Sequence, residues 1–178
     1  MPHLKSLLLP LLCVSLSLTG LSTQAQQAQT PDEEQPIHIT ADSLDIQDLK
    51  GISIYTGKVE VIQGSLTLKG DKMTIHHPQR EVEWIEVDGA PATFKRFDTQ
   101  EQSWIKGRAN RIDYRAAEKT VLLTGDAKVE QPGKNLITGP ELFYDMQNKT
   151  LQANSTPEEK KRVSVTLMPE KKVENPPK

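Results

Sequence analysis

Asp42-Ser43-Leu44-Asp45-Ile46, followed by Thr56-Gly57-Lys58-Val59-Glu60-Val61, recurs with the same internal spacing as Asn110-Arg111-Ile112-Asp113-Tyr114 and Thr124-Gly125-Asp126-Ala127-Lys128-Val129. Within each copy apolar residues occupy every second position, the period of a β-strand with one buried face. The same period runs through Ile37/Ile39, Ile52/Ile54, Leu66/Leu68, Met73/Ile75, Ile85/Val87, Leu142/Tyr144 and Val163/Val165/Leu167. Turn residues separate these pairs, among them Gly51, Gly64, Gly70, Asp88-Gly89, Pro132-Gly133 and Gly139-Pro140. No stretch beyond the N-terminus carries a helical period of useful length. A weaker half-unit, Asp71-x-Met73-x-Ile75, lies between the copies and another starts at Glu141-x-Phe143, giving four stacked half-units. Short strands cannot bury an apolar face alone, so the units must stack into one all-β body. Lys58, Glu60, Lys69, Lys72, Asp113, Lys128 and Glu130 then point to water. The spacing also predicts that Gly57 and Gly125 turn or bulge the backbone.

The N-terminus reads as a secretory signal, with Lys5, an apolar run from Leu7 to Leu18 and small or polar residues ending at Ala25. The run is too short for a spanning helix, and cleavage after Ala25 is expected. The one cysteine, Cys13, lies inside it, leaving an exported chain without a disulfide, as suits a bacterial periplasm. Cleavage removes Lys5 and makes the formal charge one unit more negative than the −2 of the whole chain, which argues against a nucleic-acid partner. The expected organisation is a signal peptide at 1–25, a flexible segment at 26–35, one β domain at 36–168 and a flexible tail at 169–178. The charge run Glu158–Arg162 reads as a solvated loop.

Chemistry-bearing motifs are scarce. The sequence holds no Walker loop, no His-Glu-x-x-His, no cysteine pair and no Gly-x-Ser-x-Gly. His76 and His77 are adjacent, so a strand turns them to opposite faces and they cannot share a metal ion. Glu83, Glu86 and Asp88 flank Trp84, but alternation separates Glu83 from the other two. Asp45 and Asp113 are repeat-equivalent, which fits a recurring outward position better than a catalytic centre. No catalytic residue, metal ligand or cofactor is therefore nominated. With three Phe, three Tyr and two Trp in the chain, bulky fillers are few. An interior packed by side chains and one open to an aliphatic ligand both remain compatible with the pattern.

The chain resembles the OstA-like (LptA) family of periplasmic lipopolysaccharide-transport proteins. The resemblance lies in Gln35-Pro36-Ile37-His38-Ile39, Thr56-Gly57-x-Val59, Gln63-Gly64, Asp71-Lys72, Pro91-Ala92-Thr93-Phe94 and Val121-Leu122-Leu123-Thr124-Gly125, and extends from about Gln35 to Pro169. It implies a twisted, V-shaped, open β-jellyroll of repeated antiparallel strand units, whose interior shields the acyl chains of lipid A. The lipid-binding residues it implies are Ile37, Ile39, Ile54, Phe94, Ile112, Tyr114 and Leu122; His77 stands where the family places a basic residue near the groove, a departure from its pattern. Its implied partner edges are Gln35, Ile37, His38 and Ile39 at one end, and Val163, Ser164 and Val165 at the other. The implied partners are lipopolysaccharide, the inner-membrane-anchored LptC, the jellyroll domain of the outer-membrane protein LptD, and further copies of the chain joined head to tail. A jellyroll glycan-binding protein or periplasmic polysaccharide hydrolase is the alternative. It predicts carboxylates clustered on one face beside an exposed aromatic platform.

Overall fold

Alternating apolar residues here become antiparallel strands, the six long ones each bent once. The structure is a computed structural model describing residues 30–155 and 161–169. The expected signal peptide with Cys13, residues 26–29, residues 156–160 of the charge-run region and residues 170–178 of the tail lie outside the described residues. The strands are β1 (Ile37–Thr40), β2 (Ser43–Gln47), β3 (Ile52–Gln63), β4 (Leu66–His76), β5 (Trp84–Asp98), β6 (Ser103–Arg115), β7 (Thr120–Gln131), β8 (Asn135–Asp145), β9 (Thr150–Asn154) and β10 (Ser164–Leu167). They form one open 10-stranded sheet in the order β1-β3-β4-β5-β6-β7-β8-β10, with β2 also on β3 and β9 also on β8. Among the described residues there is no α-helix.

The register breaks in mid-strand between Thr56 and Val59, Lys69 and Lys72, Asp88 and Ala92, Arg108 and Arg111, and Thr124 and Ala127. At these bulges β3 to β8 pass from one half-sheet to the other. β2, the start of β3, the end of β4, the start of β5, the end of β6, the start of β7, the end of β8 and β9 make the first half-sheet. β1, β10 and the remaining halves make the second. The repeated Thr-Gly signature marks two of the bulges. Gly57 has φ +84° and a Cβ there would lie 2.4 Å from Asp42 Oδ2; Gly125 has φ +79° and its Cβ would lie 2.7 Å from Asn110 Nδ2. Only glycine takes that backbone conformation without penalty while admitting the side chain packed over it. The duplicated Asp42/Gly57 and Asn110/Gly125 pairs are thus one bending device used twice.

Both half-sheets contribute to a single core that includes Val59, Val61, Leu66, Leu68, Met73, Val87, Ile112, Val121, Leu123 and Leu142. The halves meet directly: Leu123 Cδ2 of the first lies 2.8 Å from where a Gly107 Cβ of the second would stand. The centre of the interior is therefore filled, side chain against side chain.

Residues 30–35, at the end of the 26–35 segment, form a 3-10 turn at Asp32–Glu34 that is hydrogen-bonded to the second half-sheet. Lys161 and Arg162 at the end of the charge run are exposed.

Candidate functional site

The expected lipid-facing residues divide by strand parity. Ile112, Phe94 and Tyr114 are buried, at 0%, 3% and 4% exposure, and all belong to the core. Ile39 is half-buried against the core and pairs with Val61, while Ile37 pairs with Gln63 and is 36% exposed. Both β1 side chains thus lie on the interior face at its margin. Ile54 and Leu122 do not join them. On β3 the inward positions belong to Ser53 and Tyr55, and on β7 to Val121 and Leu123, so Ile54 and Leu122 fall on the outer face, half-buried.

The residues expected at partner edges lie at the two ends of the sheet. Gln35 immediately precedes β1 and Ile37, His38 and Ile39 lie in it; Val163 precedes β10, which holds Ser164 and Val165. Among the described residues β1 pairs only with β3 and β10 only with β8. At these margins apolar side chains remain exposed, with Leu44 and Ile46 of β2 at 50% and 55% and Val165 and Leu167 of β10 at 54% and 74%.

The interior opens where the hairpin turns of the two half-sheets approach. A cavity of about 860 Å³ there has Phe94, Ile105, Tyr144 and Met146 among its lining, with Arg96, Lys119 and Lys149 among its charged groups. Arg96 follows Ala92 and Phe94 on the inward side of β5, pairing with Ile105, so a guanidinium sits on an otherwise apolar face. Its Nε is 3.2 Å from Asp32 Oδ2 and its Nη2 3.6 Å from Glu33 Oε1. Lys119 Nζ is 3.2 Å from Glu33 Oε1. Burial opposes ionisation of Glu33, but its own backbone N–H, Lys119 and Arg96 outweigh it and hold the carboxyl below its usual value. Burial pushes the Tyr114 hydroxyl up to about 12, against a smaller opposing pull from Arg96. Sequence reading passed over Arg96, Lys119 and Asp32. The available signal was the parity Ala92-Phe94-Arg96, which carries a charge into an apolar row.

His77 lies at the turn after β4, its Nε2 2.8 Å from Ser53 Oγ. On the outer face of the first half-sheet, Glu86, Asp88 and Asp113 converge on Arg111, at 2.7, 3.4 and 3.1 Å. The three carboxylates thus share one guanidinium as their common counter-charge. The ring of Trp84 is stacked on His76 at 3.8 Å between centroids rather than presented as an open platform. Among the described residues no group of three or more His, Cys, Asp and Glu is placed to hold a metal ion.

An open, bent antiparallel sheet with an apolar interior, a mouth at its turns and, among the described residues, singly paired strands at both ends defines an open β-jellyroll. A family model described as LptA/(LptD N-terminal domain) LPS transport protein matches residues 38–150, and the chain belongs to that family. It is 36% identical over 146 residues to lipopolysaccharide export system protein LptA of Escherichia coli, covering 80% of this chain and 76% of that one. It is 29% identical over 161 residues to lipopolysaccharide export system protein LptH of Pseudomonas aeruginosa, covering 87% and 91% respectively. The crystal structure of LptH from Pseudomonas aeruginosa, described as the LptA-homologous periplasmic component of a lipopolysaccharide transport device, superposes with a TM-score of 0.72 at 29% identity. That match covers 78% of this chain and 99% of LptH.

Proposed function

We propose that this chain is a periplasmic, non-catalytic carrier that holds lipopolysaccharide by its lipid A acyl chains on the interior face of the sheet. The observation that carries the reading is the single apolar core shared by two half-sheets that are continuous through the strand bulges and leave a cavity where their turns approach. Parting the halves exposes apolar side chains, and an acyl chain re-covers them at about 0.8 kcal/mol per buried methylene. An apolar ligand therefore offsets the opening, whereas a free sugar cannot. Ile37, Ile39, Phe94, Ile112 and Tyr114 are the contacts; Ile54 and Leu122 are outside them by parity. Nothing in the sequence supplies a nucleotide-driven motor, so directionality comes from partners.

The edges serve assembly. β1, with Gln35 before it, and β10, with Val163 before it, have free backbone groups on one side and suit strand addition, in which main-chain hydrogen bonds give affinity and alternate side chains give order. The partners are further copies of this chain head to tail, an LptC-type domain anchored in the inner membrane and the LptD jellyroll domain at the outer membrane. The signal-like N-terminus and the periplasmic setting of LptH support the compartment.

Photo-crosslinking residues at Ile39, Phe94 and Tyr114 test this in cells, with Ile54 and Leu122 as outward controls. Lipopolysaccharide adducts are expected at the first three and not at the controls. Absence of adducts at all three, with adducts in a working relative run alongside, would sink the carrier reading.

A further inference from the structure

Residues 30–36 lie across the mouth of the interior and are fastened to both of its lips. On the second half-sheet Asp32 accepts the Ser65 N–H and the Ser65 hydroxyl, each at 2.7 Å, and Gln63 Nε2 donates to the carbonyls of Glu33 and Gln35, each at 3.1 Å. On the first half-sheet Glu33 reaches Lys119 in the turn between β6 and β7. Arg96, between the lips, contacts two of the strap's three acids, Asp32 and Glu33, and places Nη1 3.1 Å from Met146 Sδ. Among the described residues, the carboxylates within ion-pair distance of Arg96 are those of Asp32 and Glu33.

Arg96 keeps only 24% of its side-chain exposure, and Asp32 and Glu33 keep 18% and 23%. Charges so far removed from water are costly to leave unpaired. The strap therefore cannot be lifted cheaply unless another anion takes its place. Beneath the cations lies the apolar floor of Phe94, Ile105, Tyr144 and Met146. Cations above such a floor match an amphiphile with an anionic head. Phosphate oxygens pair with a guanidinium and an ammonium through the same charge-assisted hydrogen bonds that the two carboxylates now make.

We propose that Asp32 and Glu33 are a built-in competitor for the phosphorylated head of the cargo: the phosphate displaces them from Arg96 and Lys119 and releases residues 30–36 from the mouth. The inference rests on the carrier reading and adds to it a headgroup subsite and a strap. Uptake becomes an exchange of ion pairs at the mouth, which selects amphiphiles bearing phosphate over equally apolar ones without it. The strap runs directly into β1, so its release also frees the chain leading to a proposed partner edge.

The test compares binding of lipid A and of enzymatically dephosphorylated lipid A to the purified full mature chain. The unaltered protein is expected to prefer the phosphorylated lipid by about tenfold, the effect of one charge-assisted pair. Arg96→Gln with Lys119→Gln is expected to bring the two affinities within about twofold while dephosphorylated lipid A still binds. Asp32→Asn with Glu33→Gln, which leaves the cations in place, is expected to tighten binding of the phosphorylated lipid several-fold. Hydrogen exchange supplies an independent readout, because the Ser65 amide held by Asp32 should lose protection when lipid A is added. Binding of both lipids with an unchanged preference in the Arg96/Lys119 variant, or an unchanged Ser65 amide, overturns this inference alone. Binding of neither lipid by the unaltered chain overturns it together with the carrier reading.

Discussion

Replacing Ile39 by Asp should stop lipopolysaccharide export without unfolding the protein, and the two effects separate by magnitude. Ile39 is half-buried on β1, a strand paired only with β3, and it touches the edge of the core rather than its centre. Full burial of an isoleucine side chain is worth about 1.5–3 kcal/mol, so half of that, about 1 kcal/mol, is lost on substitution. For a domain of this size such a loss lowers Tm by about 2–4 °C. An acyl chain sliding along the same face, however, must strip water from the new carboxylate, which costs several kcal/mol and slows passage by about a hundredfold or more. The assay pairs a thermal melt of the purified variant with complementation of a strain depleted of the native protein, scored by newly made lipopolysaccharide at the cell surface. Ile39→Val should behave almost as the parent. Ile54→Asp, the same charge on the outer face, should fold and export. Normal export by Ile39→Asp, or an equal block by Ile54→Asp, would refute the assignment of an apolar conduit to the interior face.

The contact between half-sheets predicts coupled stability effects. Gly107→Val drives a side chain into Leu123 and should cost about 1–3 kcal/mol, with Leu123→Ala recovering part of it; strictly additive urea midpoints would mean that the halves do not meet there. Tyr114 holds its proton more tightly folded than unfolded, so its contribution is full below pH 10.0 and is lost as pH rises through about 12. Tyr114→Phe should flatten the fall in urea midpoint between pH 9 and 11.5, and an unaltered fall would count against its burial. Arg111→Met leaves Glu86, Asp88 and Asp113 facing one another; because these groups are partly exposed, the cost should be about 1 kcal/mol at low salt, shrinking in 0.5 M salt. A loss independent of salt would point to packing instead.

The strand alternation and the bending glycines Gly57 and Gly125 were legible in the sequence, because alternation and positive-φ glycine are local steric facts. Gly70, Asp88-Gly89 and Gly139-Pro140, expected as turns between strands, lie instead inside β4, β5 and β8, where the chain bends without reversing. Thr56-Gly57 and Thr124-Gly125 marked two of the bulges. Which face of a strand points inward was less so. Ile52/Ile54 and Val59/Val61 are equally apolar pairs in opposite phase, and a bulge between them can shift phase or keep it. Only the pairing of Ile54 with Thr74 and of Tyr55 with Met73 puts Ser53 and Tyr55 inside.

Residues 30–35 show the other limit. Their polar, proline-flanked composition gives no local reason for order, since each residue can satisfy its backbone with water. Their contacts are to Ser65, Arg96 and Lys119, remote in sequence and brought to the mouth only by the bending of the sheet that sets its two halves face to face. The sequence by itself thus determined an all-β chain with one apolar face and recurrent bends. Tertiary structure decided that the middle of that face is packed shut, that its mouth carries paired charge, and that β1 and β10 are the ends. The division has one physical cause. Alternation and backbone sterics act between near neighbours, whereas burial, counter-charge and edge status depend on which distant strand arrives alongside.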